Sequence, residues 1–74
     1  MRYGEFPQFS RMSAEELDTL LLRTRLSARD RTIAHMRLID RELYADIAAE
    51  VVMDRSAVSD RLRHVIIPYI EEHM

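Results

Sequence analysis

The stretch that most constrains the fold of this chain is residues 44–63, YADIAAEVVMDRSAVSDRLR. At 100° per residue, its first half places one group of side chains within a narrow arc: Tyr44, Ile47, Ala48 and Val51. A second apolar arc follows at helical spacings, formed by Val58, Leu62 and Val65. Two short amphipathic helices joined by a tight turn would bury both arcs, so we predict a helix-turn-helix at residues 44–64.

We expect the turn itself at residues 52–54, between the two arcs. Asp54 is the predicted cap of the second helix, because its carboxylate can accept from the free N–H groups of the next turn. Opposite the buried arc of this helix, the sequence places a polar stripe consisting of Ser56, Ser59, Asp60 and Arg63. A polar stripe on the second helix of such a pair is the surface that faces the DNA major groove.

Three segments resemble the fourth-region domain of bacterial sigma factors: residues 26–31 (LSARDR), 44–48 (YADIA) and 54–59 (DRSAVS). That family reads promoter DNA with such a helix pair and uses the preceding helix as a support. Many small phage and bacterial regulators share the motif. The resemblance therefore implies a small DNA-binding regulator of the phage or mobile-element type.

The chain departs from the family pattern at two positions. Val52 stands where the family often has glycine, and a β-branched residue at positive φ is strained by about 1–2 kcal/mol. Either the turn takes another shape or the strain is tolerated. Asp60 lies on the expected reading face, where it repels phosphate but can accept from a cytosine amine.

Composition limits the remaining options. A chain of 74 residues forms one small domain with a modest core, which makes dimerisation energetically plausible. The sequence has no cysteine, so disulfides and thiolate metal sites are excluded. No apolar run approaches the ~20 residues that span a bilayer and no signal peptide is visible, so we expect a cytoplasmic protein with no membrane partner.

Charge is distributed unevenly along the chain. The net charge is −2, but residues 23–41 carry six arginines against two aspartates, a local charge of +4. Arg29, Arg31 and Arg37 lie on the polar sides of a predicted helix and either form a solvated charged face or clamp the DNA backbone. All 11 basic residues are arginine, which suits phosphate and guanine recognition and is equally well explained by codon composition.

The segments before the helix pair carry clear start signals. Residues 1–12 show no helical period and are expected to form an irregular arm whose Tyr3, Phe6 and Phe9 either cover the core or reach a partner. Residues 13–74 then form the helical domain. Ser13 and Glu16 form a capping box for the first helix, and Ser27 starts the second. Leu43 is expected to anchor the connector into the helix pair.

The C-terminal segment is unusually apolar. Pro68 removes a backbone donor, so we predict a break or kink near residues 66–68 and a short last helix that begins at Pro68. Continuing the helical period places Ile67 on the polar stripe. These apolar residues either cover the core or form a two-fold homodimer seam consisting of Val65, Ile66, Ile67, Tyr69 and Ile70.

The sequence contains no recognisable catalytic or metal-binding pattern. His35, His64 and His73 lack metal-ligand spacing, no nucleophile motif is present, and no glycine loop could cradle a phosphate. We therefore predict a non-enzyme that uses no cofactor and no metal.

These patterns together predict an all-α fold, a small bundle of four to five helices that contains a helix-turn-helix. The first functional hypothesis is a sequence-specific regulator that binds double-stranded DNA through Arg55, Ser56, Ser59, Asp60 and Arg63. The alternative is a protein-binding adaptor or inhibitor with the same fold but without DNA reading, with RNA polymerase or another regulator as its target. The acidic net charge, Asp60 and Val52 motivate that alternative.

Overall fold

The computed structural model describes residues 6–74, and all regular secondary structure in that range is helical. A short 3₁₀ turn (Pro7–Phe9) precedes α1 (Ala14–Arg23), α2 (Ala28–Ala34), α3 (Tyr44–Val51), α4 (Arg55–Arg61) and α5 (Ile67–Glu71). Two wider π-helical turns complete the chain: His35–Ile39 extends α2, and Leu62–Ile66 joins α4 to α5. The predicted all-α fold is confirmed.

Side chains cap the N-termini of α1 and α2 as the sequence predicts. Ser13 Oγ accepts from the N–H of Glu16 at 3.1 Å, and the Glu16 carboxylate accepts from the N–H of Ser13 at 2.9 Å. Ser27 Oγ accepts from the N–H of Asp30 at 3.2 Å. The prediction for Asp54 is wrong in its detail: it occupies the cap position of α4, but its carboxylate is exposed and makes no capping bond. Its carbonyl oxygen instead accepts from Val58 N–H at 3.0 Å.

One apolar core joins all the helices. Leu17, Leu20 and Leu21 of α1 are buried there, whereas Leu22 is 64% exposed. In the predicted arc of α3, Ile47 and Ala48 are buried, and Tyr44 and Val51 pack half-buried against the core. The buried apolar residues are Phe9, Leu17, Leu20, Leu21, Leu26, Ile33, Ala34, Ile47, Ala48, Val58, Leu62, Ile66, Ile67 and Ile70.

Aromatic residues from the N-terminal arm help to cover this core. Phe9 is buried and Phe6 packs against the core from its edge, as the covering alternative predicts. Tyr3, the third aromatic residue of the predicted lid, lies outside the described residues.

The π-helical turn at Leu62–Ile66 overturns three predictions for the C-terminal segment. Val65 is 44% exposed, whereas Ile66 and Ile67 are buried. A π-helical turn holds one more residue than an α-helical turn, so it delays the rotation of the side chains and moves the apolar arc from Val65 to the next two positions. The predicted break near residues 66–68 is also absent, because helical dihedral angles continue through Ile66 and Ile67 into a first turn that contains Pro68.

The same turn decides where most of the proposed dimer seam lies. Ile66, Ile67 and Ile70 are buried in the core of their own chain, and Tyr69 is half-buried. The hydroxyl of Tyr69 accepts from the N–H of Arg25 at 3.2 Å. These residues therefore act mainly as core, which is the alternative that the sequence left open, and they cannot form an exposed seam as a set.

Residues 52–54 form the turn between α3 and α4. Val52 adopts φ 57° and ψ 55°, the left-handed conformation, so of the two alternatives that the sequence left open the turn keeps its shape and tolerates the strain. The N–H groups of Val52 and Met53 both bond to the carbonyl of Ala48, which satisfies the end of α3. Met53 then packs against the core, while the Val52 side chain is 88% exposed.

A second left-handed residue, Arg41 at φ 59°, closes the connection between α2 and α3. Leu43 does not anchor this connection as predicted, since its side chain is 67% exposed and its carbonyl oxygen starts α3 instead. Arg37 holds the segment together. Its guanidinium donates to the carbonyl oxygen of Glu42 at 2.7 Å and lies 4.2 Å from the centre of the Tyr44 ring.

The strain at Val52 leads to a stability prediction. Replacing Val52 with glycine removes a left-handed cost of about 1–2 kcal/mol and adds about 0.4–1 kcal/mol of unfolded-chain entropy. We expect V52G to raise the free energy of unfolding by up to about 1 kcal/mol, measured by urea denaturation with an unchanged m-value. The control is Ala49→Gly, an exposed position inside α3, which should lower it by about 1 kcal/mol. If V52G lost as much stability as the control, the left-handed conformation of Val52 would not be strained.

Candidate functional site: the exposed edge of α4

Four polar side chains of α4, together with Arg63 two positions after the helix, form one solvent-facing surface. We call this surface the reading edge and define it as Arg55, Ser56, Ser59, Asp60 and Arg63. Four of these residues are exposed, and Ser59 is half-buried. Val58 and Leu62, on the opposite side, are fully buried. The reading edge is therefore accessible to a partner along its whole length.

An ion pair that sequence reasoning missed connects this helix to α2. Arg61 Nε donates to Asp30 Oδ1 at 3.0 Å, and Arg61 Nη2 donates to Asp30 Oδ2 at 2.8 Å. Two parallel, charge-assisted bonds between planar groups form a fork with restricted geometry. The Asp30 side chain is almost fully buried, whereas about a third of the Arg61 side chain is exposed.

A signal for this pair was present in the sequence. Asp30 is followed at spacings of three and four by Ile33 and Ala34, so the helical period places a carboxylate on the buried arc of α2. A buried carboxylate requires a partner. The period does not reveal which arginine supplies it, because the partner lies 31 positions further along the chain.

The ion pair also fixes the charge of the groups involved. The hydrogen bonds from Arg61 hold the pKa of Asp30 below its ordinary value of 3.8, against the opposing effect of burial, and the charges of Arg61 and Arg29 act in the same direction. The same contact raises the pKa of Arg61. Both groups are therefore charged at neutral pH.

The three arginines proposed as backbone clamps differ in their surroundings. Arg29 and Arg31 are exposed on α2, with Arg31 Nη2 at 3.4 Å from the carbonyl oxygen of Leu26. Arg37 is half-buried and holds Glu42 and Tyr44, as described above. Arg29 and Arg31 are therefore surface cations on α2, the helix that packs against the π-helical turn after α4. Arg37 instead belongs to the connection between α2 and α3.

Two searches of residues 6–74 bear on other kinds of site. No group of three or more histidine, cysteine, aspartate or glutamate side chains in this range is arranged to hold a metal ion. Nor does any helix in the same range have the length and apolar character needed to cross a membrane.

Comparisons with known proteins add no family assignment. No protein-family model, curated protein or solved structure gives a significant match to this chain.

The lowered pKa of Asp30 predicts a pH-dependent contribution to stability. Asp30→Asn keeps the shape but removes the charge, and we expect it to lower the free energy of unfolding at pH 7 by about 1–2 kcal/mol, since Arg61 is partly solvated. A carboxyl whose pKa is lower when folded stabilises the fold above its unfolded pKa, and that contribution is lost as the pH falls through the folded value. The difference between wild type and variant should therefore shrink below pH 3.8.

Urea denaturation at several pH values between 7 and 3 measures this difference. Asp54→Asn is the matched control, because the Asp54 carboxylate is exposed and makes no capping bond, so its removal should change stability little. A pH-independent difference for Asp30→Asn would show that the ionised pair contributes nothing to stability.

Proposed function

We propose that this chain is a small sequence-specific DNA-binding regulator of transcription that places α4 in the major groove. The observation that carries the proposal is the accessible reading edge on a short helix that follows a three-residue turn. α3 packs against α4 behind that edge, and α2 packs against the π-helical turn that continues α4. Two helices thus support the one that would enter the groove.

The side chains of the reading edge suit recognition of base pairs and phosphates. Arg55 and Arg63 can each donate two bonds to guanine or bind phosphate. Ser56 and Ser59 can bond to phosphate oxygens or base edges. Asp60 accepts but cannot donate, so on the DNA it would favour a cytosine amine and disfavour other bases.

Exposed arginines on α2 support the proposal although the net charge of the chain is −2. The pair of Asp30 and Arg61 removes one charge of each sign and leaves that net charge unchanged, while Arg29 and Arg31 remain exposed at the surface of α2. Those two arginines can contact the DNA backbone while the reading edge contacts bases. Phosphate contacts of this kind make affinity depend strongly on salt.

One observation favours the alternative, a protein-binding adaptor or inhibitor that does not read DNA. Val52 presents an exposed apolar side chain directly before α4, in a strained conformation that contributes nothing to the core. Strained residues cluster at functional contacts, and an apolar group of this kind suits a protein surface such as that of RNA polymerase. In nuclease-treated bacterial lysate, an adaptor would capture one stoichiometric protein, and Val52→Asp would abolish the capture while Arg55→Ala would not.

The DNA-binding proposal is tested by fluorescence anisotropy with a random duplex library at low salt, followed by a salt series on the selected sequence. We expect Arg55→Ala or Arg63→Ala to weaken binding to the selected site by about 1–3 kcal/mol if the residue contacts guanine. Arg29→Ala should weaken binding to all sequences alike. It should also reduce the slope of log affinity against log salt concentration by about one, the value for one lost phosphate contact.

Arg23→Ala serves as the control in these titrations. Arg23 is exposed and lies in a cleft between α1 and the last residues of the chain, away from the reading edge, so its removal should change neither affinity nor salt dependence. If no member of the library binds at low salt, where phosphate contacts are strongest, the DNA-binding function is refuted.

A further inference from the structure

α4 is held by packing against α3 and by apolar contacts on its inner side, and none of these apolar contacts is directional. Val58 is the buried residue within Arg55–Arg61. One valine side chain has no polar atoms and no directional bonds, and apolar packing tolerates small shifts. A rotation by one residue step, about 100°, would bring Arg61 to the position that Asp60 occupies in the reading edge.

The π-helical turn that follows α4 also bears on the rotation of this helix. Leu62 and Ile66 anchor the following turn in the core, but the turn changes the phase of the helix at the point where α4 ends. Because the helical backbone runs continuously from Arg61 into Leu62, these core contacts also hold the end of α4. Arg61 is the last residue of α4, directly before the phase change.

The partner of Arg61 is held rigidly on the neighbouring helix. Asp30 lies in the first turn of α2, where Ser27 caps its N–H, and its carboxylate is buried. A guanidinium that donates two parallel bonds to a fixed carboxylate is restricted in both distance and angle. A buried ion pair is costly to desolvate, and much of the stability lost when one partner is removed comes from the charge left unpaired. The distinctive contribution of the intact pair is therefore its fixed orientation.

We propose that the Asp30–Arg61 fork is a positioning device for α4: it adds a directional restraint on the rotation of the helix to the apolar packing, so that Ser56, Asp60 and Arg63 face outward together. The geometric part concerns the free protein, and the consequence for base recognition rests on the proposed DNA-binding function. Both residues act through α4, and neither needs to touch DNA.

Arg61→Lys is the main test variant, because lysine keeps the positive charge but cannot form the fork. Residual dipolar couplings of backbone amides, fitted on α1 and α2, report the orientation of α4 in the free protein. We expect the α4 couplings of Arg61→Lys to depart from the wild-type fit while those of α3 and the other helices remain. Arg23→Lys, the matched control at an exposed arginine, should leave every coupling unchanged.

The second readout is the ratio of affinities for a selected and a random duplex. In Arg61→Lys this ratio should fall roughly tenfold or more, as expected when one good base contact is lost, while affinity for random DNA and its salt dependence change by less than about twofold. A variant that is merely less stable would show a lower denaturation midpoint with unchanged couplings and an unchanged ratio, and that result would overturn the proposal.

Asp30→Asn removes the fork from the other side and guards against a failure of Arg61→Lys to fold. It should produce the same change in the α4 couplings and in the affinity ratio. Unfolding of both variants at pH 7 would assign the pair to stability and overturn the positioning role. If the wild type binds no duplex, the proposed function fails, but the couplings still decide whether the fork orients α4.

Discussion

The left-handed turn at Val52 is the constraint on which the arrangement of α3 and α4 depends. Glycine is the residue that reaches left-handed dihedral angles without cost, and here the only glycine of the chain is Gly4. The strain at Val52 is tolerated because the N–H groups of Val52 and Met53 close the end of α3 and because Met53 enters the core. Burial of a methionine side chain contributes about 1.5–3 kcal/mol when complete, which is enough to offset a strain of 1–2 kcal/mol even at partial burial.

Most of the fold could be predicted because the dominant signals are local. Hydroxyl caps at Ser13 and Ser27 and the apolar arc of α3 depend on neighbours within about four residues; both caps form, and the arc faces the core. The errors in the C-terminal segment began where the period changes. A π-helical turn has no composition signal of its own, so an extrapolation at 100° per residue placed Val65 inside and Ile67 outside, the reverse of their burial.

The candidate site divides in the same way. The reading edge could be predicted because it is defined by the period of one short helix. The fork between Asp30 and Arg61 could not, because its partners are distant in sequence and the choice among 11 arginines is made by the tertiary fold. Arg37 illustrates the converse error: its position on a polar side of its helix suggested a solvent-facing cation, yet the chain folds Glu42 and Tyr44 back onto it.

These internal uses of arginine change how the charge of the chain should be interpreted. Arg61 neutralises a buried carboxylate, and Arg37 binds a carbonyl oxygen and an aromatic ring, so neither contributes a simple surface charge. Under the proposed function, long-range attraction to DNA would come from exposed arginines such as Arg29, Arg31 and Arg55, in competition with exposed carboxylates such as Asp60. With few arginines available for phosphate, non-specific binding would be weak at physiological salt, and recognition would depend on the geometry of the reading edge. In such a domain the orientation of α4 would matter more than it would in a strongly cationic one, and the proposed role of the fork follows from that.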